Sequence, residues 1–209
     1  MKGIILCSGG LDTTLATIML IKEGHYVIPL HITYNQWQHR EELESIHKVV
    51  NWVRNKYPNG IAPLEVLKVD FPLKVGHSTY RPAAFMGLAG MVSELHKEWE
   101  VEFISTGYLG ETEYIEGLSQ SQDQIRFLCE LYGLKYINPL YGWTKPKVGV
   151  ALKEEGVPWE IMYTCFWAPS CQSRSEKDTY LCRGCRQKVE AMKAAGAPEE
   201  LLRRPNVPQ

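Results

Sequence analysis

Cys7-Ser8-Gly9-Gly10-Leu11-Asp12-Thr13-Thr14 lies between the apolar run Gly3–Cys7 and residues 13–23, a helix-compatible stretch that Gly24 stops. A short apolar run ended by two glycines reads as a buried strand, so the octapeptide is a strand-to-helix turn. Glycines in such a turn let the backbone approach a ligand closely. The helix start adds unpaired N–H groups and the positive end of its dipole, which together suit a phosphate. Ser8 and Thr13 supply hydroxyl donors. Asp12 is an odd choice beside a phosphate unless it holds a metal ion or orients the loop. A plain tight turn with Asp12 as a helix cap is the alternative. Position favours the ligand, because open α/β sheets bind ligands beyond the carboxyl ends of their strands. Neither the Walker lysine pattern nor the dinucleotide glycine fingerprint occurs in the chain.

Outward from this turn, strand and helix signals alternate. Tyr26–Ile32 is a second apolar run, and Leu43, Ile46, Val50, Val53 and Tyr57 recur at helical spacing before the turn Pro58-Asn59-Gly60. Strands are expected at Leu64–Val69, Val101–Thr106 and Lys135–Pro139, with helices within Ala83–Trp99 and over residues 119–132. Such alternation implies β-α-β units and a doubly wound, mainly parallel α/β sheet. After about residue 157 the alternation stops and cysteine, proline and tryptophan take over. The expected organisation is a nucleotide-binding α/β domain over 1–157 and a cysteine-rich C-terminal appendage, 158–209, packed on it.

At 209 residues the chain suits one domain with a modest appendage, and about 70% of its unfolded surface can be buried without staples. Lysine plus arginine (23) nearly balances aspartate plus glutamate (24), so no general field draws in nucleic acid. A local basic strip of Arg174, Lys177, Arg183, Arg186 and Lys188 remains available for RNA phosphates. No apolar run has membrane-spanning length, and the N-terminus does not read as a signal peptide; a cytoplasmic protein is expected.

Four of the six cysteines, Cys165, Cys171, Cys182 and Cys185, gather near the C-terminus. Cys182-Arg183-Gly184-Cys185 is a two-residue-spaced pair, and Cys165 and Cys171 offer the other two thiolates of a tetrahedral zinc site, with a set of buried, unrelated thiols as the alternative. Four protein ligands leave no open position, so the zinc would be structural, with Arg174, Arg183 and Arg186 offsetting the thiolate charge. A redox pair is disfavoured because that motif belongs at a helix start after a strand. Cys7 and Cys129 stand apart as packing residues. Phe166-Trp167, with Trp143 and Trp159, is read as the small core joining the appendage to the sheet, with a lid as the alternative.

Ser8-Gly9-Gly10-Leu11-Asp12-Thr13 resembles the pyrophosphate loop of the PP-loop ATPases, with Thr13 keeping the usual serine's hydroxyl. That loop combined with a C-terminal four-cysteine site resembles the QueC, or 7-cyano-7-deazaguanine synthase, family. Further similarities lie at Tyr34-Asn35-Gln36, Ser105-Thr106-Gly107, Asn138-Pro139-Leu140 with Lys145, and Cys182–Arg186. Pro82-Ala83-Ala84-Phe85 and Tyr114-Ile115-Glu116-Gly117 depart from the family pattern, as does the wider gap between Cys171 and Cys182.

The resemblance implies ATP-driven conversion of 7-carboxy-7-deazaguanine and ammonia to the nitrile 7-cyano-7-deazaguanine through adenylated intermediates. It assigns Ser8, Gly9, Gly10, Leu11, Asp12 and Thr13 to ATP and Mg²⁺. Asp12 and Lys145 become the catalytic candidates, Lys145 having a solvated surface lysine as its alternative reading. Tyr34, Gln36, Tyr114 and Glu116 become the substrate candidates, with Glu116 accepting hydrogen bonds from a guanine-like edge and the tyrosines alternatively packing. The resemblance also implies a homodimer. Two rival readings stay open: a related enzyme adenylating another deazapurine, a tRNA base or a protein group, and a non-catalytic nucleotide-binding module.

Overall fold

The computed structural model describes residues 1–33, 39–69, 81–109, 115–165 and 182–203. β1 (Lys2–Leu6) places Ile4 and Ile5 on opposite faces, and both are fully buried. A strand buried on both faces needs a layer on each side, and the chain supplies them. Ile5 packs with apolar residues of α1 (Leu11–Lys22), α2 (His39–Lys56) and α5 (Lys145–Glu154). Ile4 packs instead with α3 (Arg81–Leu95) and α4 (Ile115–Leu131), through Met86, Ala89, Ile125 and Cys129.

Among the described residues the sheet has five strands in the order β3-β2-β1-β4-β5, and every pairing between them is parallel. β2 is Tyr26–Thr33, β3 Glu65–Lys68, β4 Phe103–Ser105 and β5 Lys135–Ile137. The chain winds outward from β1 through β2 to β3, then returns to the other side of β1 for β4. The crevice between the carboxyl ends of β1 and β4 is therefore the switch point where such sheets bind ligands.

Each expected strand and helix is present, with β3, β4 and β5 shorter than expected and the helix ends slightly shifted. The helix expected within Ala83–Trp99 becomes α3 followed by a 3₁₀ turn at Lys97–Trp99. α5, which opens with Lys145-Pro146, is among the helices that the sequence reading does not contain. Proline is tolerated there since the first amides of a helix have no intrahelical acceptor. α6 (Arg183–Ala194) starts between the two members of the cysteine pair, and α7 (Glu199–Arg203) is a short turn after it.

Two features fasten this framework. Glu155, at the end of α5, accepts hydrogen bonds from Lys22 (2.5 Å), Lys56 (3.0 Å) and Tyr57 (2.7 Å), tying together the ends of α1, α2 and α5. Gly149 of α5 meets α6 backbone to backbone: a Cβ there would lie 2.1 Å from the Ala191 carbonyl oxygen. The C-terminal helix thus lies directly on the helix that begins with Lys145.

Candidate active site and cysteine centre

A cavity of about 340 Å³ opens at the carboxyl ends of β1, β2 and β4. Its floor is the turn flagged in the sequence, with Ser8, Gly10, Leu11, Asp12 and Thr13 all lining it. Gly9 takes φ +71°, and a Cβ there would come within 2.8 Å of the Ile46 amide nitrogen and the Ser45 hydroxyl. Only glycine fits that position. Gly10 is extended at φ −85°, so its conformation demands nothing special. The Thr14 hydroxyl donates to the Gly10 carbonyl (2.7 Å), while the Ser8 and Thr13 hydroxyls stand 3.4 Å apart at the loop mouth.

Asp12 and Lys145 meet across the cavity, with Nζ 2.5 Å from Oδ2. The Lys145 side chain is 11% exposed, which corrects the reading of a solvated surface lysine. Lys145 is the first residue of α5, where the positive end of the helix dipole disfavours a cation. α1 likewise begins at Leu11 on the same cavity. Two helix starts and an ammonium group therefore concentrate positive potential at one point, an arrangement that an anionic ligand relieves. Burial raises the Asp12 carboxyl above its ordinary range, opposed by the charge and hydrogen bond of Lys145. Its Oδ1 is buried and has no hydrogen-bond partner among the described residues. A carboxylate with one oxygen committed and one unmatched, beside a phosphate-sized turn, fits a divalent cation.

The rest of the wall was only partly legible in sequence. Gly107, within the flagged Ser105-Thr106-Gly107, packs on the first turn of α1: a Cβ would lie 2.7 Å from the Asp12 carbonyl carbon and 2.8 Å from the Thr13 nitrogen. His31 is buried on β2 with Nδ1 2.9 Å from the Cys7 carbonyl oxygen. Ser45 was missed because a serine on an amphipathic helix carries no signal. Its hydroxyl lies 3.0 Å from the Gly9 carbonyl and 2.7 Å from that of Ile161. Burial pushes the Cys7 thiol up to about 12, which leaves it an inert packing group.

The far wall of the cavity comes from Tyr163, Thr164, Cys165, Gly184 and Gln187, so the cysteine cluster borders the same space. The Sγ atom of Cys182 lies 3.8 Å from that of Cys165 and 3.5 Å from that of Cys185, and all three sulfurs fall within 4.8 Å of one another. Four thiolates at about 2.3 Å from a tetrahedral zinc stand roughly 3.8 Å apart, so these separations fit such an ion. Hydrogen bonds to Cys165 and Cys182, burial, and the mutual repulsion of the sulfurs raise the Cys185 thiol, a crowding that a bound cation relieves. Cys182 stands at the start of α6, so the pair does open a helix, though no strand leads into it among the described residues. The third sulfur, not position, distinguishes the cluster.

Lys188 also departs from expectation. It was assigned to a basic surface strip, yet it is 1% exposed and faces inward. Its Nζ donates to the carbonyls of Trp159 (2.9 Å) and Met162 (2.5 Å). Just beyond them, the Tyr163 amide donates to the Gly9 carbonyl (3.0 Å), joining this segment to the glycine turn. Trp143 and Trp159 are half-buried against the core of the Ile5 face, a packing role. Tyr34, Gln36, Tyr114, Cys171, Phe166, Trp167, Arg174 and Lys177 lie outside the described residues, as does the side chain of Glu116 on α4.

Comparison with known proteins agrees with this geometry. Residues 2–86 match the family model described as queuosine biosynthesis protein QueC. Curated relatives named 7-cyano-7-deazaguanine synthase align over nearly the full length. The one from Acetivibrio thermocellus is 28% identical over 93% of this chain and 94% of its own. That from Synechococcus sp. (strain CC9311) is 26% identical over 94% of each. Among solved structures, a 4-thiouridine synthetase–RNA complex with bound ATP superposes with a TM-score of 0.53 at 17% identity, covering 93% of this chain and 53% of that one, which speaks to the fold. No helix among the described residues is long and apolar enough to cross a membrane. The chain is thus similar to the QueC family, through the model matched by residues 2–86, and to 7-cyano-7-deazaguanine synthases over nearly its whole length.

Proposed function

We propose that the chain converts 7-carboxy-7-deazaguanine and ammonia to 7-cyano-7-deazaguanine with ATP. A carboxylate is a poor electrophile, so its oxygen first attacks the α-phosphorus of ATP. The bond to the β-phosphate breaks, and pyrophosphate leaves. Ammonia then attacks the acyl carbon, expels AMP and gives the amide. The amide oxygen then attacks the α-phosphorus of a second ATP and expels a second pyrophosphate, and loss of AMP and a proton leaves the nitrile.

Ser8, Gly9, Gly10, Leu11, Asp12 and Thr13 hold the phosphates in this reading. The unmatched Asp12 Oδ1 is the site offered to Mg²⁺, which would share the phosphate charge. Lys145 stabilises negative charge gathering on the α-phosphate, a role worth most where water is excluded. The observation that carries the proposal is the placement of Lys145 at the start of α5, against its dipole, facing the glycine turn. Tyr34, Gln36, Tyr114 and Glu116 are the substrate-side residues. Zinc on Cys165, Cys182 and Cys185, with Cys171 as fourth ligand, fixes the appendage over 158–209 against the domain over 1–157. The enzyme acts in the cytoplasm, on a small molecule rather than on nucleic acid.

The test is pyrophosphate release from ATP with and without 7-carboxy-7-deazaguanine, with ammonium present. Release that depends on that compound, with the nitrile in the products, is the expected result. Release that needs a different deazapurine or a tRNA refutes the substrate assignment. ATP binding without turnover on any of these leaves a nucleotide-binding module instead.

A further inference from the structure

An ammonium group is rarely buried to 1% exposure without a reason, because removal from water costs several kcal/mol unless charge and hydrogen bonds replace the solvent. Around Lys188 the structure offers two main-chain carbonyls, from Trp159 and Met162, the nearby charge of Glu160, and Cys185 of the cysteine cluster one helical turn away on the same helix. Carbonyl dipoles solvate the cation but do not neutralise it. Three or four thiolates on a divalent ion carry a net negative charge, and Cys185, three positions before Lys188 on α6, brings that charge close. The carbonyls that the lysine grips belong to the segment whose next residue, Tyr163, hydrogen-bonds Gly9.

We infer that Lys188 is a positioning residue: the buried counter-cation of the thiolate centre, it holds segment 159–163 in the place from which that segment fixes Gly9 of the phosphate turn. The inference rests on the proposed roles of the turn in ATP binding and of the cysteines in zinc binding. The ion and the nucleotide are thereby coupled through one ammonium group and one strip of backbone. Lys188 itself touches neither the nucleotide nor the reacting atoms.

The test compares wild type, Lys188→Met and Lys188→Arg as full-length, zinc-loaded proteins. Methionine keeps the volume without the charge, and arginine keeps the charge. ATP affinity is measured by calorimetry, zinc loss by a chromophoric chelator, and kcat and KM by pyrophosphate release. Lys188→Met is expected to lose zinc roughly 10-fold faster, as supporting residues around metal ligands typically show. The KM for ATP is expected to rise about 10-fold while kcat moves far less, because the turn is displaced without loss of Asp12 or Lys145. Lys188→Arg is expected to restore both quantities to within about threefold.

A purely structural lysine would lower the melting temperature yet leave ATP affinity and zinc loss in the folded fraction unchanged, and that result overturns the inference. Should Lys188→Met fail to fold, Ser45→Ala serves, since it removes only the hydroxyl lying between the Gly9 and Ile161 carbonyls. It should weaken ATP binding while zinc loss stays at the wild-type rate, and unchanged ATP binding again overturns the inference. Wild type that binds no ATP overturns the proposed function with it, whereas wild type and Lys188→Met binding ATP equally sinks the coupling alone.

Discussion

Replacing Gly107 with alanine adds one methyl group where the chain leaving β4 packs against the first turn of α1. The new Cβ would lie 2.7 Å from the Asp12 carbonyl carbon and 2.8 Å from the Asp12 oxygen and Thr13 nitrogen. Ordinary contact begins at 3.4 Å, so one of the two backbones must retreat by roughly 0.7 Å. Neither neighbour is a flexible side-chain tip that could swing aside. Overpacking of this kind costs about 1–3 kcal/mol of stability. The displaced atoms also carry Asp12 and the amides at the start of α1. Misplacing reacting groups by a sizeable fraction of an ångström lowers turnover by roughly 10- to 100-fold, equivalent to about 1.4–2.7 kcal/mol in the barrier. Pyrophosphate release on purified, folded protein measures that loss, with thermal unfolding measured alongside. Gly87→Ala on α3 is the paired control, because its Cβ meets nothing within 4 Å and the residue lies away from the cavity. Gly107→Ala with turnover within about twofold of wild type would refute the claim that this close approach sets the geometry of the phosphate turn.

Lys145→Met keeps the stem and removes the charge, so pyrophosphate release should fall by about 100-fold or more while the fold persists; a loss under about threefold would remove Lys145 from the mechanism. Glu155 is an acid-stability switch: burial works against its charge, but hydrogen bonds from Lys22, Tyr57 and Lys56 outweigh it and hold the carboxyl at about 2, below its reference of 4.5. Its contribution is fully present above about pH 4.5 and is lost as pH falls towards 2. Glu155→Gln should cost about 1–2 kcal/mol at neutral pH, discounted for partial solvent screening, and flatten the pH dependence of unfolding below pH 5; an unchanged acid limb in denaturant titrations counts against it. Cys185→Ser removes one of three clustered sulfurs, so zinc content by atomic absorption should fall well below one ion per chain; full retention would show that the ion sits elsewhere.

The phosphate turn was legible because its residues are contiguous and its neighbours carry plain strand and helix patterns. That the strands run parallel follows from the alternation of strand and helix signals; their order was not legible, because it depends on which strands pair across the sheet. What sequence hid was burial decided by distant packing. Lys145 reads as a loop lysine until Pro146 is recognised as a tolerated early helix residue. Lys188 sits in a helix rich in Arg, Gln and Glu, where a lysine normally faces water; its inward aim depends on α6 lying against α5. Ser45 and Gly107 carry meaning only through what they touch. Cys165 and the Cys182–Cys185 pair were legible by spacing, and the fold brings them to one point across 17 residues of chain.

The bare crossing of Gly149 and Ala191 carries a consequence for how the appendage and the sheet move. Side chains between two helices can change rotamer and absorb a shift, but two backbones in direct contact cannot. Gly149 lies one turn along α5 from Lys145, about 6 Å. A tilt of the cysteine-bearing helix is therefore delivered to the lysine almost undamped. Enlarging position 149 even to alanine would pry the two helices apart and swing that ammonium away from Asp12, disabling the site from its outer side without altering any group inside it.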